Sequence, residues 1–239
     1  MGVLWEKQVN CPICKNSFVA KNIKSSAVKV KERDTDFRGI YEGVNPNWYL
    51  VWVCPKCYYS CFREDFLSIK RKYVAVLQKD IQKRNAIARN SDFNKERNHY
   101  LALISYELAA HCYNITDGSK EKIGNLYLKA SWLAREVKIW SLEKKFLKKA
   151  LQCYLQAYES EPDLKMDNSL IVYLIGELNR RLGNYKEAIR FLGRVYDDRK
   201  GRCNLEVRRL AHEQYFIIKE IIDKEEGRKE EENKKEESI

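Results

Sequence analysis

Proline and glycine are scarce in this sequence, at four and ten among 239 residues. That scarcity excludes a turn-rich β sandwich and favours long helices. Histidine is scarcer still. His99, His111 and His212 are scattered and form no HExxH pair. P-loop, GxGxxG and GxSxG patterns are missing as well, so the sequence makes no positive case for an enzyme. No apolar run approaches the roughly 20 residues of a membrane-spanning helix. Residues 1–9 carry Trp5, Glu6 and Lys7 and lack the apolar stretch of a signal peptide. Together these absences predict a cytoplasmic, non-enzymatic protein.

What is present is apolar enough to build a core. Hydrophobic residues make up 44% of the chain and charged residues 33%, so the surface is strongly solvated. The net charge of +11 is uneven: residues 66–98 carry +6 and residues 204–239 carry −3. A basic excess favours acidic partners, nucleic acid among them. The competing reading is a solvated helix face.

The eight cysteines are the chemically informative residues. Cys11 and Cys14 form one CxxC pair, Cys54 and Cys57 a second, with 39 residues between the pairs. In a reducing compartment such pairs are metal ligands more often than disulfides. A CxxC turn lets two thiolates face one cation, and two turns complete a tetrahedral shell. One Zn2+ per chain is the expected cofactor, because thiolates are soft ligands. Four thiolates leave no position for water, so the metal is expected to be structural. Pro12 and Pro55 each follow the first cysteine of a pair, and Lys15 and Tyr58 follow the second. Cys61 lies close enough in sequence to replace Cys57. The alternatives are buried free thiols or a redox dithiol. Cys112, Cys153 and Cys203 lie far from any CxxC and read as core residues.

Four segments follow from the pattern. Residues 1–65 read as a small zinc-ribbon-like β domain, with strands expected at Ala27–Arg33 and Trp48–Val53. Residues 66–98 read as a basic connecting helix and linker. Its apolar stripe is Phe66, Ile69, Tyr73 and Leu77, and its charged face is Lys70, Arg71, Lys72, Lys79, Lys83 and Arg84. Those six side chains are the candidate nucleic-acid contacts. Residues 99–223 read as an α-helical repeat domain, ending in a helix from Leu205 to about Asp223. Residues 224–239 read as a charged, disordered tail. The whole is a mainly α protein with a small β domain at its start.

The repeat rests on a spacing of small, large and small residues. It occurs at Ala102, Tyr106 and Ala109, at Ala150, Tyr154 and Ala157, and at Ala188, Leu192 and Val195. A small residue lets a neighbouring helix approach, and a large one a turn later fills the space beside it. Gly176, Gly183, Tyr185 and Ala188 fit a tetratricopeptide-like unit of about 34 residues starting near Ser169, with its turn at 183–185. Pro162 is expected to end the second segment.

One polar cluster stands apart. Arg33, Asp34, Asp36, Tyr41 and Asn45 fall between the two CxxC pairs. They could line a ligand pocket, or be turn residues and salt bridges that hold the insert together. An enzyme using Asp34, Asp36 and Arg33 is the least supported reading.

CPIC at 11–14, RDTDF at 33–37, Tyr41-x-Gly43-x-Asn45-Pro46 and the run from Tyr49 to Cys57 resemble the bacterial family called domain of unknown function 2225. The resemblance is specific over about residues 4–66 and extends through the helices to about 222. Family members usually carry glycine where this chain has Tyr58. The resemblance implies a bacterial cytosolic protein with a four-cysteine metal site and tetratricopeptide-like helices, and it implies no reaction. The expected function is a zinc-binding adaptor that holds a protein or peptide in a helical groove. The alternative is a nucleic-acid-binding protein using residues 66–89 and the aromatics near the zinc site.

Overall fold

The computed structural model describes residues 2–160, 169–197 and 203–236, the last nine of these as backbone only. Pro162 lies outside the described residues. The protein is mainly helical, with three antiparallel hairpins near its start. The hairpins pair β1 (Leu4–Asn10) with β2 (Ser17–Ile23), β3 (Lys29–Arg33) with β4 (Gly39–Glu42), and β5 (Val51–Val53) with β6 (Ser60–Phe62). Eight α-helices follow among the described residues. They are α1 (Val74–Lys79), α2 (Ile81–Ala88), α3 (His99–Ile115), α4 (Lys120–Glu136), α5 (Trp140–Ser160), α6 (Ser169–Arg181), α7 (Tyr185–Tyr196) and α8 (Leu205–Glu236).

The chain divides into two compact units, Met1–Cys153 and Tyr154–Ile239. The reason lies in the core of the first unit. Two-stranded hairpins cannot bury enough apolar surface to stand alone. Their inward residues Val9, Phe18, Trp52 and Phe62 therefore share one core with Tyr106 and Leu108 of α3 and Leu126 and Leu133 of α4. Phe66 sits at its centre, with ring centroids 5.8 Å from Phe18, 5.7 Å from Trp52 and 4.9 Å from Tyr59.

Three local expectations change. Trp48 and Tyr49 lie in a 3-10 turn, Pro46–Tyr49, and only Val51–Val53 is strand. The Asn45 side chain accepts the Asn47 amide and fixes that turn, as asparagine does in an Asx turn. The helix expected from Phe66 begins at Val74 and breaks at Asp80. The Asp80 carboxylate is taken by side chains of other turns, 2.7 Å from His111 Nε2 and 3.4 Å from Arg84 Nη1. The last helix runs on to Glu236, past the expected end at Asp223. Its Glu- and Lys-rich extension consists of strong helix formers, which need no buried face to adopt the conformation.

The second unit is a run of packed helices, with α7 against both α6 and α8. All nine residues of the small-large-small spacing are buried, four of them in the first unit and five in the second. Gly183, at φ +82°, makes the turn between α6 and α7, a conformation that favours glycine. A Cβ on Gly176 would stand 2.8 Å from Leu192 Cγ, so glycine is what lets these two helices approach.

Candidate metal centre

The four CxxC sulfurs meet at two hairpin tips. Cys11 follows β1 and Cys54 follows β5, and each chain reversal is closed in the same way. Lys15 N donates to Cys11 O at 3.0 Å, and Cys11 N donates to Asn16 O at 2.9 Å. The second turn repeats this with Tyr58 N to Cys54 O at 2.9 Å and Cys54 N to Tyr59 O at 3.0 Å. Lys15 and Tyr58 both have left-handed backbones, at φ 62° and 54°. This conformation costs about 1–2 kcal/mol for a residue with a Cβ. Tyr58 recovers contacts there: its ring packs edge-on against Phe93 at 5.9 Å.

Cys11, Cys14, Cys54 and Cys57 place their Sγ atoms within 4.8 Å of one another. The closest approaches are Cys11 to Cys57 at 3.7 Å and Cys14 to Cys54 at 3.6 Å. Three of the four residues are buried. Donor hydrogen bonds from Cys54 and Cys57 hold the Cys11 thiol down to about 4. The same contact with Cys11 pushes Cys54 and Cys57 up. Thiolates packed this closely repel one another, and a cation between them would offset that repulsion. The group could hold a metal ion.

Cys61 is not part of it. It lies in strand β6, cross-strand from Trp52, and its Sγ–H donates to the Tyr59 hydroxyl at 3.4 Å. The CxxC turn folds back on itself, whereas Cys61 lies beyond it in the strand and faces the core. Burial pushes its thiol well up. Cys61 and Cys112 instead line a cavity of about 300 Å³. Cys112 and Cys203 are buried and Cys153 is half-buried.

The loop after β3 turns its acids inward. Asp36 is fully buried. Arg135 of α4 reaches it at 2.6 Å, Asp34 at 2.7 Å, and Glu143 of α5 at 2.6 Å. Trp132 Nε1 adds a donor to Asp36 at 3.1 Å. Burial works against the charge of Arg135, but Asp36 and Glu143 outweigh it and hold the guanidinium protonated. Asn45 is also engaged, its Nδ2 donating to Glu136 at 2.7 Å. Tyr41 is half-buried on β4 and Arg33 is exposed on β3. The structure thus brings Asp34, Asp36 and Asn45 to helices α4 and α5, where they anchor the β3–β4 insert, with Arg33 left apart. Arg135 was missed from sequence because nothing local marks it.

Of the six basic candidates, Lys70, Arg71, Lys72, Lys79 and Lys83 are exposed. Arg84 is not: it is fully buried. Arg84 lies two helical turns beyond the buried Leu77 and shares its inward side. Its Nε donates to Cys57 O at 2.9 Å and its Nη1 to Leu77 O at 2.6 Å. It therefore braces the second metal knuckle and cannot contact phosphate.

No helix among the described residues is long and apolar enough to cross a membrane. No solved structure matches the chain significantly. A protein of Borreliella burgdorferi, itself described as an uncharacterized protein, is 26% identical over 184 residues. That alignment covers 66% of this chain and 64% of the relative. Residues 4–218 match the family described as "Uncharacterized protein conserved in bacteria (DUF2225)", to which this chain belongs.

Proposed function

We propose that this chain is a cytoplasmic, zinc-stabilised adaptor that binds a protein or peptide through its helical repeats and carries out no chemistry of its own. The observation that carries the reading is the α6–α7 pair. Its helices approach at Gly176 and Leu192 and turn at Gly183, the register of a tetratricopeptide-like unit. Stacked pairs of this kind present surfaces suited to peptides and helices. Leu170 of α6 and Ile217 of α8 are exposed apolar side chains on this unit, at 44% and 46%. Zinc suits the centre for a geometric reason. Zn–S bonds of about 2.3 Å in a tetrahedron give sulfur separations of about 3.8 Å, close to the 3.6 and 3.7 Å seen here. Four thiolates also complete the shell, as in structural zinc sites.

The test is a capture experiment from bacterial lysate with nuclease present, using wild type and the Leu170→Asp, Ile217→Asp double variant. A partner held by wild type at 0.5 M salt and lost by the folded double variant is the expected result. Equal capture by both would remove the helical surface as the binding site.

A second reading is supported by the five exposed cations of residues 70–83. Each phosphate contact adds about one unit to the salt slope of nucleic-acid binding. RNA or DNA bound at physiological salt and released by Lys79→Glu, Lys83→Glu would favour this reading over the adaptor.

A further inference from the structure

Arg84 presents an electrostatic imbalance. It is fully buried, and burying a charge is costly without a compensating one. Among the described residues its carboxylate contact is with Asp80, at a long 3.4 Å. That carboxylate is also 2.7 Å from His111 Nε2. Arg84 Nη2 has no protein hydrogen-bond partner. The guanidinium therefore sits in the core with one carboxylate at long range, shared with His111, and Nη2 unpartnered.

The metal centre has the opposite imbalance. A divalent cation in four thiolates leaves a net charge of −2. Lys15 and Lys56 stand in the two knuckles, but both are exposed, where water and salt screen them. Arg84 is joined to the ligand Cys57 by the bond from Nε to its carbonyl, in surroundings where screening is weak. It is a buried cation hydrogen-bonded to the backbone of a CxxC residue.

Resting on the zinc reading above, we infer that Arg84 is the counter-charge of the metal centre, allowing all four cysteines to bind as thiolates, and is not only a structural brace. Two roles are thereby separated. The bonds to the Cys57 and Leu77 carbonyls position the knuckle, and the charge sets how tightly the metal is held. Arg84→Lys keeps the charge and loses the forked geometry. Arg84→Gln keeps some hydrogen bonding and loses the charge.

The experiment is competition for Zn2+ between the full-length protein and a chromophoric chelator, with folding of each loaded variant followed by circular dichroism. Loss of an outer-shell partner weakens metal binding by about 10–100-fold. That loss is expected for Arg84→Gln, with Arg84→Lys between it and wild type. Equal affinity of Gln and Lys variants would overturn the inference, because charge would then not matter. If Arg84→Gln does not fold, X-ray absorption on the zinc-loaded wild type decides. Four sulfur ligands are expected, and three sulfurs with one oxygen would show the centre sheds charge by losing a thiolate. Wild type that takes up no zinc removes the zinc reading itself, whereas tight binding by both wild type and Arg84→Gln removes only the role of Arg84.

Discussion

The two compact units solve the same problem by different means. Met1–Cys153 contains short hairpins that need outside help: a four-sulfur centre, a buried charge network on Arg135, and a core borrowed from α3 and α4. The described residues of Tyr154–Ile239 are mostly helical, with backbone groups satisfied within each element. Its packing is tight: Gly176 lies against Leu192, and Tyr158 meets Phe191 edge-on at 6.0 Å. Its buried charge is met locally, Glu177 of α6 by Arg180 and Arg181 of the same helix at 2.7 Å, whereas the first unit matches Asp36 with Arg135 from a distant element.

If the four-sulfur centre holds a structural metal, its removal should affect the first unit most. Structural zinc contributes about 10–16 kcal/mol to small metal-dependent folds. Chelation, or Cys11→Ser or Cys54→Ser, is expected to raise hydrogen exchange across residues 4–23 and 51–62. Residues 169–197 should keep their protection. Equal loss in both segments would break the distinction between the units.

Arg135→Met comes next. Leaving Asp36 buried without its partner should lower stability by about 3–5 kcal/mol. Adding Asp36→Asn should restore part of that loss, as seen in the melting temperature. An unchanged melting temperature for Arg135→Met would show that the network is dispensable.

In the second unit the sensitive positions are steric. Gly176→Ala overpacks the α6–α7 contact and should cost about 1–3 kcal/mol. Ala188→Trp overpacks a fully buried position on α7 and should cost at least as much. If denaturant unfolding finds neither variant destabilised, the packing account of this unit is wrong.

The smallest effect is a pH dependence. Burial works to raise the Asp65 pKa, but hydrogen bonds from Lys122 and Tyr113 outweigh it and hold it below the usual value. The stability this provides is present above the unfolded-state pKa near 3.9 and is lost as pH falls through the lower folded value. Asp65→Asn should flatten the stability curve below about pH 4. Wild-type and variant curves that stay parallel there would remove Asp65 from the acid response.

Two charged clusters show how far the sequence could be read. The RDTDF loop allowed both a ligand pocket and a structural role, because its partner Arg135 lies 99 residues from Asp36. No local pattern carries such a pairing. In the basic segment, charge alone groups Arg84 with five exposed cations. Helical period does not: Arg84 lies two turns beyond Leu77 and on the same side as Phe66 and Leu77. All three are buried.

The sequence by itself determined the two CxxC turns, the α-rich class and the α6–α7 turn, because each depends on residues a few positions apart. CxxC spacing fixes where two thiols point, and Gly183-Asn184 fixes where a helix can stop. Only the tertiary structure decided where the charges went. Whether Asp36, Arg84 or Cys61 faces solvent, a metal or the core depends on what a distant element brings opposite it, and burial makes that choice by penalising every charge left unmatched.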